Sequence, residues 1–600
     1  MTLIHEDPTR AQGLRLLPSP VDAGAVPAPH SVIAGPVVAP VQARGRFVPR
    51  WRNVPHRHGR LGRTILLAAV NITFELAFAV WLLWPSHYPQ HLTDTLHLVA
   101  NVLVIASIAV VETLRLVNVI SLSVASVIAC DPVLVEPERG TRLAFATSFV
   151  PGKEPLEMLE GTLARICEVR DPSGLGIDVW VLDEGDDEGV RRLCERLGVH
   201  HFSRHGIERY NQPSGTFKAR SKHGNYNAWL DAVGYERYDV LMSVDTDHQP
   251  EPNYAERILG PFRDPDVAYV VGPQDYGNAG DGFVPMGAES QQFPFHSVIQ
   301  RAANRYGAAM LVGTNNAFRL SALRSIGGLQ DSVTEDMATG LEFHTRRNPA
   351  TGKRWSSVYT PDVLAVGEGP MTWGDFFSQQ DRWSRGTFEV LRNDMWRKAW
   401  RLPAGHLLHY ALITTFYPSM AIAWLLGAVS VMLYAVLGAG GLVVPAHVWI
   451  ALYVDATLFQ MWIYFSNRRY NVSPFEREGS FGFSGMLMSI FATPVYAGAF
   501  LKTLLRLPAK FAVTPKGSAS NADGLFAFRL HLFWMGWFAV AIVVSALNGH
   551  AAPASLLWPV MSLVILSAPI LLSRREQRAN RVADLREPLH SVPTLERAAS

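Results

Sequence analysis

Six apolar runs, each close to the length a helix needs to cross lipid, bracket one long stretch that contains none. They are Thr64–Pro85, about His97–Leu114, Tyr417–Leu437, Ala446–Phe465, Leu525–Leu547 and Ala554–Ser573. A hydrocarbon core of about 30 Å takes about 20 helical residues, so much of this 600-residue chain belongs in lipid. Only 18% of residues are charged, against about 25% in ordinary soluble domains. The 54 Lys and Arg nearly balance the 52 Asp and Glu, which leaves no broad basic field for a nucleic-acid backbone. Cys130, Cys167 and Cys194 form no CxxC, which fits neither a disulfide framework nor a structural zinc site and points to a reducing, cytosolic setting.

Charge asymmetry orients the runs. Loops 86–94, 438–445 and 548–553 hold no Lys or Arg, whereas Arg60, Arg63, Arg468, Arg469, Arg574 and Arg575 flank the opposite ends. By the positive-inside rule both termini and the long 142–403 stretch face the cytosol, the arrangement of a multi-pass protein of the plasma (inner) membrane. Residues 1–62, rich in Pro, Ala, Val and Arg and without an apolar h-region near Met1, read as a disordered cytosolic tail with no signal peptide. Residues 63–130 form the N-terminal transmembrane helices, 404–573 the C-terminal transmembrane and interfacial helices, and 574–600 a second tail. Residues 117–130 are apolar but short, and read as a continuation or an interfacial segment. The run 481–505 holds Gly485, Pro494 and Gly498, and spanning would put Lys502, Arg506, Lys510 and Lys516 outside. It is therefore expected to lie along the cytoplasmic interface.

Within 142–403, short β-branched runs alternate with helical stretches, the rhythm of an open α/β sheet. LAFATSFV (143–150), IDVWVL (177–182) and DVLMSV (239–244) read as strands, and Asp183 and Asp245 directly follow two of them. Open sheets bind ligands at those carboxyl ends. Asp245-Thr246-Asp247 offers two hard oxygen ligands on one side of an extended segment, a set that suits Mg²⁺ or Mn²⁺ on a diphosphate. A second DxD, Asp264-Pro265-Asp266, sits in a Pro turn before a strand and reads as solvated loop acids. In QQDRW, a helix would place Gln379, Arg382 and Trp383 on one face, where a guanidinium can neutralise a diphosphate and an indole can stack on a sugar. Glu75, Glu112, Arg115 and Asp455 lie inside apolar runs. They mark either a polar path or interhelical pairing. Trp81, Trp84 and Trp449 read as interface belt.

Joined by TED (334–336), PGKE (151–154), DEG (183–185), KHGNYN (222–227) and FAVTPKG (511–517), these elements resemble the membrane-embedded, processive family 2 glycosyltransferases, the group of the bacterial cellulose synthase catalytic subunits. The resemblance covers roughly 140–575. It implies a GT-A (Rossmann-like) domain inserted between transmembrane helices. Glu154 and Asp183 would hold uridine, Lys222 and Arg382 would face the diphosphate, and Asp245 and Asp247 would bind Mg²⁺ or Mn²⁺. Asp336 would be the catalytic base, with Thr334, Glu335, Gln379 and Trp383 at the acceptor. Phe511, Val513, Thr514 and Lys516 would belong to a gating loop over the nucleotide. Glu184, His223, Tyr226, Asn315 and Asn316 depart from the family pattern, and so does PGK. The family's cyclic di-GMP switch is not expected: Arg574–Arg578 offers its RxxxR, but 22 residues follow Arg578, too few for a β-barrel. That segment reads as a basic membrane flank, and the DxSxxG at Asp171–Gly176 as coincidence.

The implied activity is polymerisation of a β-glucan from UDP-glucose by inverting transfer, with export of the product. UDP-sugar, the growing polysaccharide, membrane lipid and accessory export subunits are the expected partners. The same machinery could make a β-1,3-glucan or an amino-sugar polymer, or glycosylate a lipid. An inactive scaffold role in an export complex is the remaining alternative, and the full set of acids argues against it.

Overall fold

Strand 143–149 alternates Leu143, Phe145 and Phe149 on one face with Ala144 and Ala146 on the other, and all are buried. A strand apolar on both sides needs cover on both, and this one lies near the middle of its sheet. The computed structural model describes residues 50–90, 94–467, 473–476, 480–507 and 523–586. Its strands, in chain order, are β1 (Trp51–Asn53), β2 (Cys130–Pro132), β3 (Leu143–Phe149), β4 (Ile177–Asp183), β5 (His200–Phe202), β6 (Val240–Ser243), β7 (His248–Pro250), β8 (Val267–Val271), β9 (Asp275–Tyr276), β10 (Asn316–Arg319), β11 (Ser356–Tyr359) and β12 (Ala365–Gly367). The main sheet runs β11-β8-β10-β6-β3-β4-β5. It is parallel except at β10, which opposes both β6 and β8. One face packs Phe145, Leu163, Val181, Met242 and Ile258; the other packs Trp180, Trp229, Tyr269 and Phe318.

Successive parallel connections leave β3 on opposite sides, to β4 and to β6. A crevice at such a switch point lies outside the carboxyl ends of the strands. The loops after β3 and β6 are therefore neighbours, although about 90 residues separate Glu154 from Asp245 in the chain: Thr246 Oγ1 donates to Glu154 Oε1 at 2.8 Å. A small sheet, β7-β12-β9, extends this edge.

Among the described residues, seven helices are long and apolar enough to cross a membrane: Leu61–Leu82, Thr95–Ile128, Ala404–Leu437, His447–Ser466, Phe483–Leu504, Leu525–Leu547 and Ser555–Arg578. Six contain, to within a few residues at the ends, the runs expected to span. The seventh, 483–504, is the segment expected at the interface. It breaks at Ala492 into helices of 9 and 12 residues. It is also the most enclosed of the seven, with 56% of its apolar window buried.

Several boundaries differ from the sequence reading. Of the two readings of 117–130, continuation holds: the helix expected to end near Leu114 runs on as Thr95–Ile128, 34 residues. Residues 50–62 do not belong to an unstructured tail, because β1 pairs antiparallel with β2 and a short helix, Val54–Arg57, follows. The last helix runs from Pro553 to Arg586, past Ser573. The acids of the second DxD are buried rather than solvated: Asp264 accepts from the Asp266 amide, and Asp266 accepts from Asn348 at 3.0 Å. Asp171 caps its own turn, accepting from the amides of Ser173, Gly174 and Gly176. Arg115 pairs with Glu75 at 2.7 Å and Glu112 at 3.0 Å, and Gln460 donates to Glu75. Glu75 is therefore paired across helices, with Arg115 also held by Glu112 of its own helix, while Asp455 is exposed on its helix.

The join between the membrane helices and the soluble domain is polar and buried. Asp131, on β2, accepts from Arg301 Nε at 2.6 Å and Nη2 at 2.5 Å, and both side chains are almost fully enclosed. Removing one partner of such a pair strands the other charge. Asp131→Ala is expected to cost about 3–5 kcal/mol, read as a lowered thermal midpoint of the detergent-solubilised protein.

Candidate active site

The DxD begins where β6 ends. The Asp245 amide donates to Thr314 Oγ1 at 3.0 Å, and Asp245 Oδ1 receives a short contact from Lys222 Nζ. Lys222 opens the helix Lys222–Trp229, whose N-cap is Ser221, and it also donates to the Gly313 carbonyl at 2.6 Å. Asp247 Oδ1 meets the buried His248 ring at 2.8 Å. Asp245, Asp247 and His248 each offer a ligand atom, all within 4.8 Å of one another. Burial works against the Lys222 ammonium, but Asp245, Tyr226 and Glu335 outweigh it and hold its pKa above the ordinary lysine value.

Glu154 closes the loop after β3. Its two oxygens accept from the Val150 amide (3.0 Å) and from Thr246, and burial lifts its pKa to about 7. The next acid behaves differently. Asp183 is fully buried and its carboxylate is consumed locally, accepting from the amides of Gly185 (2.9 Å) and Asp187 (2.6 Å) and meeting His201 at 3.1 Å. It braces the turn after β4, and its neighbour Glu184 reaches the cavity instead. Glu184 is held by Arg204 at 2.8 and 3.0 Å and by the Arg220 amide at 3.0 Å. Asp183, Asp186 and His201 form a second close group of ligand atoms, already occupied by these turn contacts.

Thr334 precedes the helix Glu335–Thr345, so Glu335 and Asp336 sit in its first turn. Asp336 Oδ1 accepts from the Met337 amide at 2.7 Å. A methyl group on Gly313 would lie 3.5 Å from Asp336 Oδ2 and 3.8 Å from Lys222 Nζ, which places both groups beside one point of the cavity floor. Desolvation raises the pKa of both Glu335 and Asp336, and the nearby Asp336 charge raises Glu335 further.

Gln379, Arg382 and Trp383 stand on the helix Trp373–Val390, started by the Thr372 cap and by Asp523, which accepts from the amides of Trp373 and Gly374. All three line the cavity, as the i, i+3, i+4 spacing required. Gln379 Nε2 donates to Tyr276 at 3.1 Å. Among the described residues, Gln379 Oε1 and Thr334 Oγ1 are buried without a hydrogen-bond partner. The opposite side of this helix is clamped to 493–504: Gln380 accepts from Tyr496 at 2.8 Å and Asp381 pairs with Lys502 at 2.7 Å.

One cavity of about 1060 Å³ collects these groups. It runs from Glu154, Asp245, Asp247, Lys222 and Asp336, past Gln379, Arg382 and Trp383, to Leu412, Phe416 and Tyr417 of the Ala404–Leu437 helix and to Met486 and Ser489. Lys153, Glu184, Arg220, Gln291 and Gln292 also line it. The sequence singled out Glu184 only as a departure. The two glutamines carried no signal, since only the fold of the helix Phe283–Pro294 turns them inward. Phe511, Val513, Thr514 and Lys516 lie outside the described residues.

Comparison with known proteins gives the class. The family model for Glycosyl transferase family 2 matches residues 152–327, and that for Glycosyl transferase family group 2 matches 240–465. A UDP-forming cellulose synthase catalytic subunit from Dictyostelium discoideum is 31% identical over 211 residues, 34% of this chain and 19% of that protein. Glucomannan 4-beta-mannosyltransferase 7 from Arabidopsis thaliana is 27% identical over 40% of this chain and 42% of its own length. The UDP-forming catalytic subunit of cellulose synthase 1 from Komagataeibacter xylinus is 24% identical over 67% of this chain and 52% of its own. The matches thus span about half the length of these relatives or less. Residues 152–465 thus match the family 2 glycosyltransferases, are cellulose-synthase-like in sequence and are set among apolar helices.

The TED turn is held against the 373–390 helix by a close approach at Gly386, where a methyl group would come within 2.1 Å of Thr334 Cγ2. Gly386→Ala is expected to destabilise by about 1–3 kcal/mol through overpacking. Adding Thr334→Ala, which deletes the two nearest atoms, Cγ2 and Oγ1, and leaves Cβ at 2.9 Å, should recover part of that loss in a thermal-melt double-mutant cycle.

Proposed function

We propose that this protein is a processive, inverting glycosyltransferase that polymerises a β-glucan from UDP-glucose and passes the product out between its membrane helices. The observation that carries the reading is the single cavity joining the strand-end acids to the Ala404–Leu437 helix. A polymerase needs a donor site and a path for the chain in one continuous space. The orphaned Gln379 Oε1 and Thr334 Oγ1 fit that path, because the hydroxyls of a glycan can pair with buried polar atoms that protein leaves unmet.

In this mechanism Glu154 and Glu184 border the nucleoside end, and Lys222 and Arg382 face the diphosphate. Asp336 takes the proton from the acceptor hydroxyl as it attacks the anomeric carbon. Its raised pKa makes it a stronger base, and Lys222 nearby favours its ionised form. Gln379 and Trp383 hold the acceptor sugar by a hydrogen bond and by stacking. Thr334 and Glu335 complete that wall. Asp245 and Asp247 would hold Mg²⁺ or Mn²⁺; the carboxylate set beside His248 fits a hard divalent cation. When bound, that ion supplies charge neutralisation for the departing UDP. Residues 142–403 act as the catalytic domain, cytosolic together with both termini, and 483–504 lies along the interface, a placement its break and enclosure support. Phe511–Gly517 serves as the gate.

A second reading has one observation in its favour: the similarity to a glucomannan 4-beta-mannosyltransferase points to a β-linked mannose polymer made from a nucleotide-mannose. Reconstitution in lipid with a panel of labelled nucleotide sugars, followed by linkage-specific glycosidase digestion, separates the two. A product that is a single-sugar lipid conjugate would defeat both.

Asp336→Asn is expected to lower turnover by at least about 100-fold while UDP still binds. In the wild type, activity should fall as pH drops through a pKa above the usual carboxylate value of about 4, since the base works only ionised. Turnover like wild type in the variant removes the assignment. Exhaustive chelation should stop synthesis, and Mg²⁺ or Mn²⁺ should restore it; synthesis that persists without metal contradicts the Asp245 and Asp247 roles.

A further inference from the structure

Where the soluble domain meets the membrane helices, three short segments expose large apolar side chains beside arginines. The first, Trp396–Arg401, links the cavity-lining helix to Ala404–Leu437. Trp396 is 83% exposed and Trp400 76%, whereas Trp229, Trp355 and Trp373 are fully buried. Arg401 stacks on Trp400 at 4.9 Å. The second segment is Leu504–Leu507, with Leu504, Leu505 and Leu507 exposed around Arg506. The third is Leu525–Arg529, where Phe526 is exposed and Arg529 lies over its ring at 4.6 Å.

The first two segments form one rim. Arg392 donates to the Thr503 carbonyl at 2.6 Å, and Arg385 donates to the Leu507 carbonyl. Along this rim Lys398 is consumed by Glu342 (2.9 Å) and Asp394 (2.8 Å). Arg397, Arg401 and Arg506 have no carboxylate partner among the described residues. Indoles this exposed, close to the start of a membrane helix, suit the headgroup layer. Unpaired guanidiniums in the same layer suit phosphate oxygens, which they can bind with two parallel hydrogen bonds.

We propose that this rim is a binding surface for anionic phospholipid headgroups in the leaflet nearest the soluble domain, with Trp396 and Trp400 seated in the headgroup layer and Arg397, Arg401 and Arg506 taking the phosphates. The rim is built on the helix that carries Gln379, Arg382 and Trp383 and on the helix clamped to it. Lipid at the rim therefore steadies one wall of the cavity. The inference rests on the chain residing in a membrane and is independent of which sugar it transfers.

The test uses the full chain in nanodiscs of phosphatidylcholine with one-third phosphatidylglycerol, then native mass spectrometry of the lipids retained after detergent release. The wild type should retain phosphatidylglycerol preferentially, with a contribution of about fivefold per arginine. Arg397→Gln with Arg401→Gln and Arg506→Gln should abolish the preference at an unchanged thermal midpoint, and the matching triple Lys variant should keep much of it. Trp396→Ala with Trp400→Ala should reduce retention of both lipids. Equal retention by the wild type, or a preference that survives the triple Gln variant, overturns the proposal. An unchanged lipid profile with loss of a co-purifying protein assigns the rim to a protein partner and also overturns it.

Discussion

The helix Trp373–Val390 is held on both sides, and the rest of the site depends on that. One face presents Gln379, Arg382 and Trp383 to the cavity. The other is tied to 493–504 through Tyr496 and Lys502, and its end runs through Trp396–Arg401 into a membrane helix. A helix anchored in this way cannot shift relative to 493–504 without breaking the buried Tyr496–Gln380 hydrogen bond, a loss of about 0.5–1.5 kcal/mol. The Gln379, Arg382 and Trp383 wall of the cavity therefore stays in register with the 493–504 helix.

Electrostatics inside the cavity centre on Lys222. It touches Asp245 and stands beside Gly313 within reach of Asp336. Without it, several carboxylates would crowd a poorly hydrated space, where like charges repel strongly. Desolvation already raises Glu154, Glu335 and Asp336. The balance leaves acids that are basic enough to accept a proton and one cation fixed where negative charge can be received.

Much of the fold was legible because it rests on local pattern. The apolar runs, the strands 143–149 and 177–183 and the facing of Gln379, Arg382 and Trp383 each follow from periodicity within one element. At Asp183 local pattern leaves a choice: a carboxylate after a strand can face the crevice or fold back on its own turn. Three donors, Gly185, Asp187 and His201, decide for the turn. The acids of 264–266 were likewise expected in water, and Asn348, about 80 residues on, buries Asp266 instead.

By itself the sequence determined which segments are apolar and long enough to cross lipid, which form the sheet and which polar side chains stand at strand ends, because burial period and length are local quantities. Only the tertiary structure decided that Glu154 and Asp245 share a crevice, that Glu184 rather than Asp183 reaches it, and that Gln291 and Gln292 turn inward. It also decided that the crevice opens toward Phe416 and Tyr417. Those outcomes depend on which elements pack side by side, and that is settled by strand order and by contacts hundreds of residues apart.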